Sequence, residues 1–168
     1  MALYVDTSAL LKRYLEEPDS GAAEAYLVGD PEWYSGRHTY VETRRNLWRA
    51  LGGPDLAGSE VSRAELVRVR DHFEDDWRRT SVIELDEVTC RLAADIAELT
   101  GVRSLDALHL AVASRLGPQV LQLLTFDVRQ AQAARQLHFT VLGAYDAHGR
   151  GAGIGEGPAP SARDRQTD

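Results

Sequence analysis

Short runs of large apolar residues alternate along this chain with longer stretches in which apolar positions recur every three or four residues. Leu3-Tyr4-Val5 is a run of the first kind and predicts a buried strand. Asp6-Thr7-Ser8 follows, and any of the three can cap a helix. That helix carries Leu10, Leu11, Tyr14 and Leu15 on one side and stops at Pro18. Asp19-Ser20 opens a second short helix ending at Gly29, and Trp33-Tyr34-Ser35 predicts another brief strand. A longer helix follows from His38 to Leu51, with Tyr40, Leu47 and Leu51 on one face, Val41 and Trp48 beside them, and Arg44, Arg45 and Arg49 largely opposite. Gly52-Gly53-Pro54 ends it.

Ser62-Arg63-Ala64-Glu65 has the form of a capping box and opens a helix with Leu66, Val69, Phe73 and Trp77 at helical spacing. The two long helices predict an antiparallel hairpin. Val82-Ile83-Glu84-Leu85 is strand-like. Asp86 caps a helix with Val88, Leu92, Ile96 and Leu99 aligned, closed by Gly101. Ser104 opens the next, with Leu105, Leu108, Val112 and Leu116 aligned, and Gly117-Pro118 closes it. Val120 to Phe126 is the strongest strand pattern in the chain. Asp127 caps a helix running through Gln136, and Phe139-Thr140-Val141-Leu142 is a last strand. Short apolar strands joined by helices predict an α/β fold, a mostly parallel sheet covered on both faces.

Length and composition narrow this picture. The 168 residues, 43% of them apolar, suit one domain with one packed core. Residues 1–145 are read as that domain. Residues 146–168, rich in Gly, Ala, Pro and charge, are read as a disordered tail. The net charge of −7, from 19 basic and 26 acidic side chains, counts against a passive nucleic-acid-binding module. It does not count against a nuclease whose acids surround metal ions, which reverse the local charge. Lys12 is the only lysine, so the remaining basic groups are planar arginine forks suited to phosphate. Cys90, the single cysteine, permits no disulfide within the chain and is expected to pack as a small apolar group, and Trp33, Trp48 and Trp77 as core. The five histidines show no short metal-ligand spacing. With no charged leader and no apolar stretch long enough to span a bilayer, the expectation is a soluble cytoplasmic protein without membrane contact.

In a parallel sheet ligands bind beyond the carboxyl ends of the strands. Asp6 and Asp127 lie at such ends, Asp106 in the first turn of the Ser104 helix, and Glu42 early in the helix after the second strand. All four can therefore converge on one edge of the sheet. Taken singly, each aspartate is more simply a helix cap and Glu42 a solvated residue; the case rests on the set. Four carboxylates together do not all stay ionised without a cation, and oxygen-only ligands point to a hard ion, Mg²⁺ or Mn²⁺. Such ions activate water against phosphodiesters.

These residues carry a resemblance. Val5-Asp6-Thr7-Ser8-Ala9-Leu10-Leu11, then Ser35 with Thr39 and Glu42, then Leu105-Asp106-Ala107-Leu108-His109-Leu110-Ala111, then Thr125-Phe126-Asp127 resemble, in order, the four motifs of PIN-domain proteins. In size the chain is similar to the VapC ribonuclease toxins within that family. The resemblance implies a three-layer α/β/α fold, a divalent-metal site at Asp6, Glu42, Asp106 and Asp127, and hydrolysis of RNA. It also implies a cognate VapB-like antitoxin and a homodimer, and that Ser8, or Thr7, is the hydroxyl supporting the metal water. His109 is read as a satisfied interface histidine rather than a substrate contact. Arg44, Arg45 and Arg49 stand evenly between a solvated face and phosphate contact. Two rival readings are a non-catalytic PIN-like RNA- or protein-binding module and an Asp-nucleophile phosphatase. The phosphatase wants a second Asp two residues after the first, where this chain has Ser8.

Overall fold

The computed structural model describes residues 1–29, 32–53 and 60–144. The proposed tail, Pro54 and the Ser62 side chain lie outside what is described, but the helix there begins at Glu60, so Ser62 sits inside it and does not cap it. The described residues contain five strands and seven helices in the order β1 (Ala2–Val5), α1 (Thr7–Tyr14), α2 (Ser20–Gly29), β2 (Trp33–Gly36), α3 (Arg37–Ala50), α4 (Glu60–Trp77), β3 (Ser81–Ile83), α5 (Glu87–Thr100), α6 (Ser104–Leu116), β4 (Leu121–Thr125), α7 (Val128–Gln136) and β5 (Thr140–Gly143). The strands form one sheet in the order β3-β2-β1-β4-β5, every pairing parallel.

Alternate side chains along each strand enter different cores. Leu3 and Val5 join Leu10, Leu27, Leu47, Val69, Phe73 and Leu124, which packs α1 to α4 on one face. Tyr4 joins Ile96, Leu110, Leu121, Leu123 and Val141, which packs α5 to α7 on the other. The result is the three-layer α/β/α architecture. α3 and α4 form the expected antiparallel hairpin, since Tyr40 stacks near Phe73 and Trp77 while Arg44, one turn later, reaches back to Glu74.

The helix starts divide by chemistry. Asp6, Asp86 and Asp127 each accept backbone N–H groups from the first turn of α1, α5 and α7. Ser104 does not cap: it is the first helical residue of α6, after Arg103, with no side-chain cap bond. Several apolar positions differ from expectation. Val88 and Leu99 of α5 and Leu105 of α6 are exposed, as are Val41 and Trp48 of α3. Small residues are buried instead: Thr89 and Ala93 on α5, which packs against α6, and Ala107, Ala111 and Ala113 on α6, which lies on the sheet. Cys90 is exposed rather than packed, because Thr89 and Ala93 hold the inner face of its helix.

α1 is tied to α4 by a charged knot. The Asp76 carboxylate is buried and accepts from the Arg13 guanidinium at 2.6 Å, from the Tyr14 hydroxyl at 2.9 Å and from Arg79 at 2.8 Å. Burial pushes the Asp76 carboxyl up, but the hydrogen bonds from Arg13 and Tyr14 and the charges of Arg13 and His72 outweigh it and hold it below 3.8.

Candidate active site

Because β1 and β4 are parallel neighbours, Asp6 and Asp127 leave the sheet at the same edge. Glu42, one turn into α3, and Asp106, in the first turn of α6, arrive there from helices on opposite faces. The four acids line a single cavity of about 180 Å³ together with Thr7, Ser8, Leu11, Asn46 and His109. It adjoins a wider cleft of about 620 Å³, where Glu42, Asp106 and Asp127 meet Arg103, Ser104 and Arg129.

Asp6 is the deepest of the four, 3% exposed. Its carboxylate accepts from Ala9 N at 2.9 Å, from Ser8 Oγ at 2.8 and 3.0 Å, and from Thr125 Oγ1 at 2.8 Å. Ser8 Oγ in turn accepts from the Phe126 N–H at 2.8 Å, so its proton and a lone pair are both engaged with protein groups. Ser8 therefore holds Asp6. Burial raises the Asp6 carboxyl above its ordinary value despite the charge of His109 and these hydrogen bonds. Asp106 is raised as well, by burial and then by the nearby charge of Asp127. The acids share one cavity, but among the described residues no three of them bring oxygens within 4.8 Å of one another, so a divalent cation would have to draw them together.

Glu42 is held differently. Its Oε2 accepts from Thr7 Oγ1 at 2.8 Å and lies 2.9 Å from His109 Nε2. His109 Nδ1 is 2.9 Å from the buried Tyr4 hydroxyl. Burial pushes the Glu42 carboxyl up, but the His109 bond and charge and the Thr7 bond outweigh it, and it lies below its ordinary value.

A family model described as PIN domain matches residues 3–136, from β1 to the end of α7. This chain belongs to the PIN-domain family. Ribonuclease VapC45 of Mycobacterium tuberculosis is 35% identical over 127 residues, covering 76% of this chain and 85% of that relative. Ribonuclease VapC46 of the same species is 32% identical, covering 84% and 96%. Among solved structures, FitAcB of Neisseria gonorrhoeae superposes with a TM-score of 0.60 at 18% identity, covering 84% of this chain and 96% of that one. The M. tuberculosis toxin VapC20, described as cleaving the sarcin-ricin loop, superposes at 0.56 and 20%, covering 78% and 94%.

In this PIN domain the histidines depart from expectation. His109 is a satisfied buried histidine, as read, yet it also faces the acid cavity. His38 and His109, far apart in sequence, stack with ring centroids 4.2 Å apart, so folding supplies a histidine pair that sequence spacing does not reveal. His38 is 9% exposed and neither ring nitrogen has a hydrogen-bond partner. Burial first, and the neighbouring His109 charge second, lower its pKa to about 3. Asn46 was missed; it lies one turn beyond Glu42 on the same face of α3. Of the arginine stripe, Arg44 is bound to Glu74 at 2.7 Å and to Tyr40 at 2.8 Å, while Arg45 lines a separate depression with Val41, Trp48 and Arg70. The arginines beside the acids are Arg103 and Arg129. Among the described residues no helix is long and apolar enough to cross a membrane.

Proposed function

We propose that this PIN domain is a divalent-metal-dependent endoribonuclease and the toxin of a VapBC-type toxin–antitoxin pair. The observation that carries the reading is the meeting of Asp6, Glu42, Asp106 and Asp127 in one cavity of a chain 35% identical to a ribonuclease VapC. The donor set is all oxygen, so the ion assigned is Mg²⁺ or Mn²⁺. Bound there, the ion would acidify a water and stabilise charge on the phosphodiester during displacement.

The chain's own residues then divide the work. Asp6, Asp106, Asp127 and Glu42 are the ligands. Ser8 and Thr125 keep Asp6 oriented, and Thr7 and His109 do the same for Glu42. Arg103 and Arg129, which make no ion pair among the described residues, are placed to take the phosphates flanking the cut. Residues 1–145 suffice for this activity. The partners are RNA, a VapB-like antitoxin and a second copy of the chain; toxin–antitoxin complexes of Klebsiella pneumoniae and Rickettsia felis share the fold.

A second reading has one observation in its favour, the His38–His109 pair, because histidine ribonucleases use two imidazoles for acid–base work. Both rings are buried here, and His109 is bonded at both nitrogens, which argues against it. Incubation of purified protein with total RNA, with Mg²⁺ and with EDTA, followed by end mapping, separates the two. Cleavage requiring Mg²⁺ and leaving 5′-phosphate and 3′-hydroxyl ends is expected, and Asp106→Asn should reduce it by at least ~100-fold. A 2′,3′-cyclic phosphate formed in EDTA and retained in Asp6→Ala would overturn the four-acid assignment.

A further inference from the structure

His38, Glu42 and His109 place three ligand atoms within 4.8 Å of one another, the one group of three or more His, Cys, Asp or Glu donors among the described residues to do so. His38 and Glu42 sit one turn apart on α3, and His109 crosses over from α6. We propose that these three residues form a second metal site, of two-imidazole, one-carboxylate type, that takes a borderline ion of the zinc class and, when filled, withdraws Glu42 from the acid cage.

The strongest sign of a missing ligand is His38. A buried polar group is normally hydrogen-bonded, and here both ring nitrogens are not. The ring is also given room: a Cβ at Gly36 would lie 2.4 and 2.6 Å from its atoms, so glycine there is what lets the imidazole occupy this place. His109 has the outer contact that a metal-ligating histidine needs. With its proton on Nδ1 it donates to Tyr4 Oη, and Nε2 presents a lone pair toward Glu42 and His38. With the proton on Nε2 it donates to Glu42 instead, and the Tyr4 hydroxyl donates to Nδ1. Because a hydroxyl serves in either sense, the site passes between ion-free and ion-bound tautomers without losing that bond.

Ligand chemistry sets the selectivity. Zinc takes imidazole nitrogen and carboxylate oxygen at about 2.0–2.2 Å in a tetrahedron, with a fourth position left for water. Drawing the donors to that spacing asks for a modest rotation of the unbonded His38 ring and a slight opening of the 2.9 Å His109–Glu42 contact. Mg²⁺ prefers all-oxygen ligands and does not compete for two imidazoles. Two sites that share one carboxylate cannot both hold it, so zinc and magnesium oppose each other through Glu42. That opposition rests on the reading of the acid cage given above; the nitrogen site itself does not.

The test uses the full chain, stripped with chelator and titrated with Co²⁺ as an optical stand-in for Zn²⁺. One Co²⁺ with the visible bands of tetrahedral coordination is expected, displaced by Zn²⁺. His38→Ala and, independently, Gly36→Ala should weaken Co²⁺ and Zn²⁺ binding by at least ~10-fold with the circular dichroism of a folded chain. Both variants should keep wild-type Mn²⁺ binding, whereas Asp106→Asn should lose Mn²⁺ and keep the cobalt bands. Mg²⁺-supported RNA cleavage should be suppressed by Zn²⁺ in wild type and not in His38→Ala. Equal Zn²⁺ affinity in wild type and His38→Ala overturns the proposal, as does loss of the cobalt bands in Asp106→Asn, which would put zinc among the acids. Intact cobalt bands in a protein that cleaves no RNA would uphold the nitrogen site and remove the ribonuclease reading instead.

Discussion

At Asp6 two jobs fall on one side chain. Its Oδ1 accepts from the Ala9 N–H at 2.9 Å, capping α1, while the same carboxylate faces the cavity that Glu42, Asp106 and Asp127 share. The Ser8 and Thr125 hydroxyls fix the angle at which it does so. Ser8→Ala removes a donor to Asp6 and leaves the Phe126 N–H without its acceptor. The expected result is a ~10–100-fold loss of Mn²⁺ affinity, the usual effect of losing an outer hydrogen bond to a ligand, read by calorimetry. Unchanged affinity would mean that Ala9 and Thr125 alone orient Asp6. The acids themselves were legible in the sequence because each sits at a strand end or helix start, positions that a parallel sheet gathers at one edge. Tyr4, His38 and Asn46 were not, because what gives them meaning is contact across the sheet between residues as far apart as Tyr4 and His109.

Elements were readable for similar reasons. Every predicted strand and helix has its counterpart, and most boundaries fall within two residues, since Asp caps, Gly stops and apolar runs act locally. On α5 and α6 the inner faces hold, with Leu92, Ile96, Leu108, Val112 and Leu116 in or against the core, but the end positions of the stripes do not. Ala93 of α5 and Ala107, Ala111 and Ala113 of α6 are buried in the core, and Val88, Leu99 and Leu105 are left to solvent. The α1–α4 knot makes a prediction at this scale. Asp76 binds its proton less readily folded than unfolded, so its stabilising contribution is complete above 3.8 and is lost as pH falls through the lower folded value. Asp76→Asn should lower stability by about 2 kcal/mol at neutral pH, less than the ~3–5 of a fully buried pair, because Glu24 still accompanies Arg13. Urea unfolding at neutral pH and again below 3.8 should show the gap between variant and wild type shrinking with acid. A gap independent of pH would mean that packing, and not charge, is what the substitution disturbs.

The molecule is two half-cores sharing one sheet, built among the described residues from positions 2 to 144. Residues 146–168 carry Ile154 as their one large apolar residue, so a chain ending at residue 145 should unfold within about 2 °C of the full chain and cleave RNA equally well. A large drop in its melting temperature would assign the last residues to the fold. Expression of the full chain should arrest growth and Asp106→Ala should not, as a metal nuclease missing one ligand is inert.

The strand order carries a consequence for how such a protein is made. β1 is made long before β4, yet it lies in the middle of the sheet, and β4, one of its two partners, begins at Leu121. Until β4 is synthesised, β1 has one open side, the Tyr4 core lacks Leu121 and Leu123, and Asp6 has no Asp127 opposite it. Contacts this distant in sequence form late. A nascent chain of this kind is accordingly a harmless polypeptide until β4 has been made. Its acid cavity is completed only once β4 and the Asp127 that follows it have been made, which defers the danger until most of the two cores exists.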